Sequence, residues 1–275
     1  MVKGGSGRNR KQTPVEEHSC YPPTNKAGPD LILCAAIPRN EGESQKLGTT
    51  LNSIDHLKFN NKYILFDGAP VKASESQKKL YYDLRKVVAE NSDFTVIEYL
   101  PNLYYKSMLE EFIREHHEVL NDNLFIIQDD VEFDPEGTLF EVVDADPAES
   151  SQCLEEVIQD KETIPNCKIL YFGENKEKAV HWFTTIDEDA KFVRTHGWSE
   201  RVYIAKKKDL LEIFDLLKKV KRGGRNGKFI EAYYQNAMKR KSWKLMDEDS
   251  KLEYWGVWGC YEYKNVFHKH LVMQR

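Results

Sequence analysis

A chain of 275 residues is long enough for one large α/β domain with a sizeable core, and 40% apolar and 31% charged residues with a formal net charge of -5 describe a soluble globular protein. That balance disfavours nucleic acid as a partner; the basic groups Lys206-Lys207-Lys208, 218–225 and Lys239-Arg240-Lys241 read first as solvated faces, the first and last of them on helices. Cys20, Cys34, Cys153, Cys167 and Cys260 are odd in number, widely spaced and free of any CxxC pair, which excludes a dense disulfide framework or a cysteine zinc site and fits a reducing compartment.

Residues 1–29 carry Gly4-Gly5-Ser6-Gly7, several basic residues and Pro22-Pro23, the composition of a flexible N-terminal segment. From residue 30 apolar runs alternate with helical patterns: a strand over 31–37, a helix near 43–57, a strand over 63–66, a helix near 74–90, a strand over 94–98, a helix near 103–119 and a strand over 124–128. This βαβα order predicts a parallel sheet with helices on both faces. Beyond an acidic, Pro-containing stretch at 134–150 the pattern is less regular, with a helix near 150–160, strands at 168–172, 191–194 and 202–205, and an apolar helical stripe over 209–220. Gly223-Gly224 follows, then a helix from 229 to about 240 and an aromatic tail. No stretch approaches the roughly 18 apolar residues that would span a bilayer, and the N-terminus lacks the apolar core of a signal peptide. A cytoplasmic location is expected, or the Golgi lumen if an anchor has been removed.

The run Leu124-Phe125-Ile126-Ile127-Gln128-Asp129-Asp130-Val131-Glu132-Phe133 delivers acidic side chains to the end of a buried strand. In open α/β sheets ligands bind at the carboxyl ends of strands, and crowded carboxylates call for a compensating hard cation such as Mg²⁺ or Mn²⁺. The plainer alternative is that Asp129 and Asp130 cap a turn. Two other strand ends converge with this one in a parallel sheet: Ile37-Pro38-Arg39-Asn40-Glu41 and Phe66-Asp67-Gly68-Ala69-Pro70.

Together these motifs resemble the nucleotide-sugar glycosyltransferases of the GT-A fold, over roughly residues 31–205, and in detail the small soluble transferases of giant algal viruses, for which the location would be the host cytoplasm. The resemblance implies an α/β, GT-A-like, mostly parallel central sheet with helices on both faces and a mixed, less regular second half. It implies one domain over 30–275, with a nucleotide-binding half at about 30–135 and an acceptor half at about 136–275. Pro38, Arg39, Asn40, Asp67, Gln128 and Asp129 would then bind a UDP- or GDP-sugar, and Asp130 would be the principal ligand of a Mn²⁺ or Mg²⁺ ion. The acceptor would be a glycan or glycoprotein. Gln128 departs from the pattern, because the first position of the family's DxD-type motif is usually acidic and a neutral side chain ligates a hard cation weakly. Glu132 is a substitute ligand if strand alternation points it with Asp130 to one face. A C-terminal His often completes the metal shell in this family, so His268 or His270 would do so here, with Lys269 against the diphosphate and Lys264 a less specific alternative.

Inverting transfer needs a general base. Glu231, at the start of the helix near 229, is the candidate, although a carboxylate there also suits the helix dipole; Glu174, Asp187 and Glu188 are weaker ones. The loop Thr195-His196-Gly197-Trp198-Ser199 mixes aromatic and polar groups as a sugar-binding loop does, which nominates His196 and Trp198 for the acceptor. A sugar nucleotidyltransferase would carry a Gly-rich phosphate loop where Arg39-Asn40-Glu41-Gly42-Glu43 stands, and no GxGxxG or GxxxxGK[ST] fingerprint is present. A silent carbohydrate-binding protein is the third reading, should Gln128 mark lost metal binding.

Overall fold

The structure is a computed structural model, and it describes residues 28–36, 38, 40–55, 57, 59–69, 72–100, 103–133, 154–172, 192–194, 201–219, 247, 249, 250, 253, 256, 257, 259–263 and 268–270. In chain order its elements are β1 (Asp30–Ala35), α1 (Glu41–Ile54), β2 (Lys62–Asp67), α2 (Glu75–Asn91), β3 (Thr95–Tyr99), α3 (Tyr105–Glu115), β4 (Asn123–Gln128), β5 (Val131–Phe133), α4 (Leu154–Thr163), β6 (Ile169–Phe172), β7 (Phe192–Arg194), β8 (Val202–Lys206), α5 (Lys207–Lys219), β9 (Cys260–Tyr263) and β10 (His268–His270). The helix expected near 229–240 lies outside the described residues.

Eight strands form one sheet in the order β3-β2-β1-β4-β8-β6-β9-β7. The first four are parallel throughout, as the βαβα pattern requires. The chain then reverses: β8 runs antiparallel to both β4 and β6, β9 runs parallel to β6, and β7 antiparallel to β9. The result is the expected α/β sheet with a parallel first half and a mixed second half. β1 sits between β2 and β4, and every one of its six residues is buried, which is why Leu31, Ile32 and Leu33 form a continuous apolar run and not an alternating one. Steps from β1 to β2 to β3 move one way across the sheet and the step from β3 to β4 moves back, so right-handed crossovers put α1 and α2 on one face and α3 on the other. α5 packs beside α3 on that second face.

Local chemistry fixes where these elements start. Asn40 caps α1, its side-chain oxygen accepting from the Glu43 N–H at 3.0 Å, and Ser74 with Gln77 forms a reciprocal capping box on α2. Asp30, fully buried at the start of β1, accepts on Oδ1 from the Asn60 and Asn61 carboxamides and the Asn61 N–H, and on Oδ2 from the Asn121 N–H. One carboxylate therefore ties the loops that lead into β2 and β4 to the start of β1, setting the register of three strands at one edge.

Glu110 does similar work between helices. Burial pushes its carboxyl up, but hydrogen bonds from Lys218 and Lys106, with Arg114 adding a third cation, hold it down to about 2. Arg114 also reaches Asp215 at 2.7 Å, so α3 and α5 share one ionic cluster. A carboxylate depressed in the folded state stabilises the fold above its unfolded pKa, and that stability is lost as pH falls from about 4.5 toward 2. Screening around the partly exposed Arg114 and Lys218 leaves an expected loss of about 1–2 kcal/mol over that window. Urea unfolding at pH 6 and pH 3 checks this, Glu110→Gln showing the smaller pH dependence.

Candidate active site

The carboxyl ends of β1, β2 and β4 open onto one edge of the sheet, and each ends in a residue singled out from the sequence. Asp129, in the turn after β4, reaches across to β1: its Oδ2 accepts from the Ala36 N–H at 2.9 Å. Gln128 closes β4, its N–H donating to the Arg201 carbonyl at 2.9 Å. Asp130 follows in the turn, and the chain then re-enters a strand at Val131. Thr50 on α1 donates to the Val131 carbonyl at 2.7 Å from a buried position, so α1 holds the far side of the acidic turn.

The second strand end is similarly clamped. Asp67, buried, accepts on Oδ1 from the Leu103 N–H at 2.6 Å, tying the loop between β3 and α3 to the end of β2. Gly68 follows with its N–H on the Tyr99 carbonyl at 2.9 Å. A Cβ at Gly68 would lie 2.2 Å from that same carbonyl oxygen, so only glycine permits this approach of the two strand ends. At the first strand end Pro38 is buried and Asn40 is exposed, its side-chain oxygen committed to the α1 cap. Arg39 lies outside the described residues.

The tail completes the corner. β10 pairs antiparallel with β5, His268 opposite Phe133, Lys269 opposite Glu132 and His270 opposite Val131. The segment of His268, Lys269 and His270 is thus a strand laid along the residues that follow Asp130. One expectation changes. Asp130 belongs to the turn and not to β5, so strand alternation does not relate it to Glu132, which stands at the register position opposite Lys269 in the two-stranded ladder. Glu231, His196, Trp198, Lys264, Glu174, Asp187 and Glu188 lie outside the described residues.

The electrostatics of the corner bear on a cation. Burial pushes the Asp129 carboxyl up to about 7, and the neighbouring Asp130 charge and Glu43 push the same way while the Ala36 N–H opposes them. Asp129 retains some surface as a residue, yet its carboxyl bears the full cost of desolvation beside a like charge. A divalent ion would reverse that penalty, since it favours the ionised form of every carboxylate around it. No group of three or more His, Cys, Asp or Glu poised on a metal occurs among the described residues; the turn after β4 offers side-chain oxygens of Gln128, Asp129 and Asp130, the donor type that a hard divalent cation takes. Glu43 is a member of this corner that the sequence reading passed over. Its signal was its place in the first turn of α1, directly after the β1 end.

Two comparisons at the level of sequence find no relative: no protein-family profile matches the chain, and no curated protein sequence does. Among solved structures, one similar chain is a glycosyltransferase involved in the glycosylation of the major capsid of PBCV-1, at 11% identity and a TM-score of 0.39, with 90% of this chain and 94% of that one covered. Another is the mannosyltransferase PcManGT from Pyrobaculum calidifontis in complex with GDP-Man and Mn²⁺, at 8% identity and a TM-score of 0.42, with 77% of this chain and 52% of that one covered. The chain spans about half the length of the second. Both are glycosyltransferases, and the likeness is confined to the general course of the chain.

Proposed function

We propose that the protein transfers a sugar from a nucleoside-diphosphate donor to a hydroxyl of a glycan or glycoprotein, with Mn²⁺ or Mg²⁺ bridging the diphosphate. The observation that carries this reading is the pairing of β10 with β5, which brings the backbone of His268, Lys269 and His270 alongside the strand leaving Asp130, at the edge where the β1 and β2 ends also open. An acidic corner and a basic, imidazole-bearing tail meeting at one place suit a metal-bound diphosphate better than a turn cap, because a cap needs no tail.

In this reading Asp130 is the principal metal ligand and His268 or His270 completes the shell, while Lys269 and Arg39 face the diphosphate. Pro38, Asn40, Asp67, Gln128 and Asp129 form the nucleotide wall; Asp129 also pins that wall to β1 through Ala36. Glu231 would take the acceptor proton, and His196 and Trp198 would hold the acceptor sugar. The cation, when bound, neutralises charge that develops on the nucleoside-diphosphate leaving group.

A panel of UDP- and GDP-sugars, each with and without Mn²⁺, tests the proposal by thermal unfolding. One donor should stabilise the protein in a metal-dependent way, by about 2.7 kcal/mol at a hundredfold excess over its Kd. Absence of a shift with every donor would sink the proposal, and slow donor hydrolysis without acceptor would separate a working transferase from a silent sugar-binding protein.

A further inference from the structure

A cavity lies at the opposite edge of the sheet from the acidic turn. β8 runs antiparallel to β4 with Lys206 opposite Asn123, and β6 runs antiparallel to β8 with Ile169 opposite Ala205. Lys168 and Lys206 therefore sit at the amino end of β4, roughly 17 Å of strand away from Gln128. Around them the start of α5, the end of α4 and the loop before β6 form an open cavity of about 220 Å³ whose lining includes Lys161, Lys168, Lys206, Lys208, Glu162 and Asp209. The helix expected for Lys206-Lys207-Lys208 begins one residue later: Lys206 ends β8, while Lys207 and Lys208 open α5, Lys207 donating to the His117 and Leu120 carbonyls and the exposed Lys208 lining the cavity.

We propose that this cavity is a binding site for a dianionic phosphate group, carried by inorganic phosphate or by a phosphomonoester. Four ammonium groups against two carboxylates in the lining, with Glu212 held by Lys168 beside it, leave the cavity net positive, as an anion site requires. Lys161 is the telling member. It is 2% exposed, and among the described residues its only hydrogen-bond acceptor is the Cys167 carbonyl at 3.1 Å, whereas an ammonium carries three donors. A buried cation without a paired anion is costly, and burial accordingly pulls the Lys161 pKa down. Asp209 is a poor counterion, because burial pushes its own carboxyl toward the neutral form. Lys206 and Lys168 hold Glu162 and Glu212 at 2.8 and 2.7 Å, which leaves Lys161 and Lys208 to meet the ligand.

The wall is built firmly enough to be a site. Asn166 lines the cavity in the left-handed region, φ 59, a conformation Asn tolerates. Gly259 packs against it so closely that a Cβ there would lie 2.1 Å from the Asn166 carbonyl oxygen, and the Gly259 carbonyl takes both the Lys168 and Ile169 N–H groups. This inference is independent of the transferase reading, since it uses none of the residues at the acidic corner.

Isothermal titration of the full chain with inorganic phosphate, at fixed ionic strength and with EDTA present, tests it, with a hexose 6-phosphate as a second titrant. One phosphate should bind per chain. Lys161→Met and Lys208→Glu should each weaken it by at least about tenfold, and Asp130→Ala should leave it unchanged. Tighter binding of the hexose phosphate would identify a phosphomonoester as the ligand; equal binding would identify free phosphate. Should Lys161→Met fail to fold, the exposed Lys208→Glu decides alone. The proposal is overturned if phosphate binds no better than about 10 mM, if the lysine variants bind it as the unaltered protein does, or if Asp130→Ala abolishes it, which would put the anion at the acidic corner.

Discussion

Asp130→Ala is expected to lower sugar transfer by about 100-fold or more and to remove the Mn²⁺-dependent part of donor stabilisation, a loss out of proportion to any change in the donor-free fold. The asymmetry follows from where the two aspartates of the turn are engaged. Asp129 is committed to the protein: its carboxylate accepts the Ala36 N–H and so joins the end of β4 to the end of β1. Asp130 lies one residue on in the turn, immediately before the strand that β10 covers. Removing Asp129 should therefore cost stability first and activity with it, whereas removing Asp130 should cost the metal. Donor titration with and without Mn²⁺, alongside unfolding of the donor-free protein, separates the two. If Asp130→Ala instead loses stability and keeps metal-dependent donor binding, the two aspartates are turn caps and the metal reading fails.

The parallel half of the sheet was legible because its signals are local and long. Leu31, Ile32 and Leu33, like Phe125, Ile126 and Ile127, announce interior strands by continuous apolar character, and the intervening helices carry caps such as Ser74 with Gln77. Strand direction in the second half was not legible. A run such as Val202 to Ala205 reads the same whether it pairs parallel or antiparallel, and only its partners β4 and β6, both far off in the chain, decide it. β5 and β10 are three residues each, too short for any periodicity, and each exists as a strand through the other. At the site, the residue types at Asp67, Asp129 and Asp130 could be read, but their employment could not: that Asp67 accepts from Leu103 and Asp129 from Ala36 depends on backbone groups 36 and 93 positions away. The buried Lys161 was invisible for a related reason. A single lysine in a polar helix carries no sequence mark of burial, and its setting is made by Cys167 and the start of α5, which only the fold brings near.

Phe125→Ala is expected to destabilise the protein by about 3–5 kcal/mol and to weaken donor binding at a site it does not touch. Phe125 is fully buried in β4 and is the hub of an aromatic group: Phe59 stacks on it at 5.6 Å, with Phe133 at 6.1 Å and Phe172 at 6.2 Å between ring centroids. Those partners come from the loop before β2, from β5 and from β6, so the ring bridges the parallel half of the sheet, the mixed half and the small β5·β10 ladder. Truncation to Ala leaves a void that the sheet cannot close without moving strands held by backbone ladders, and of the strands that supply a partner ring, β5 has only the three-residue ladder with β10 while β6 is paired on both sides. β5 should shift, carrying β10 and the His268–His270 segment away from Asp130. Phe125→Leu keeps most of the volume and should cost distinctly less on both counts. Urea unfolding gives the first effect, as a lowered midpoint with little change in slope; donor titration at a temperature where the variant is fully folded gives the second. A stability loss with unaltered donor affinity would show that Thr50, through its bond to the Val131 carbonyl, seats the ladder without help from the core.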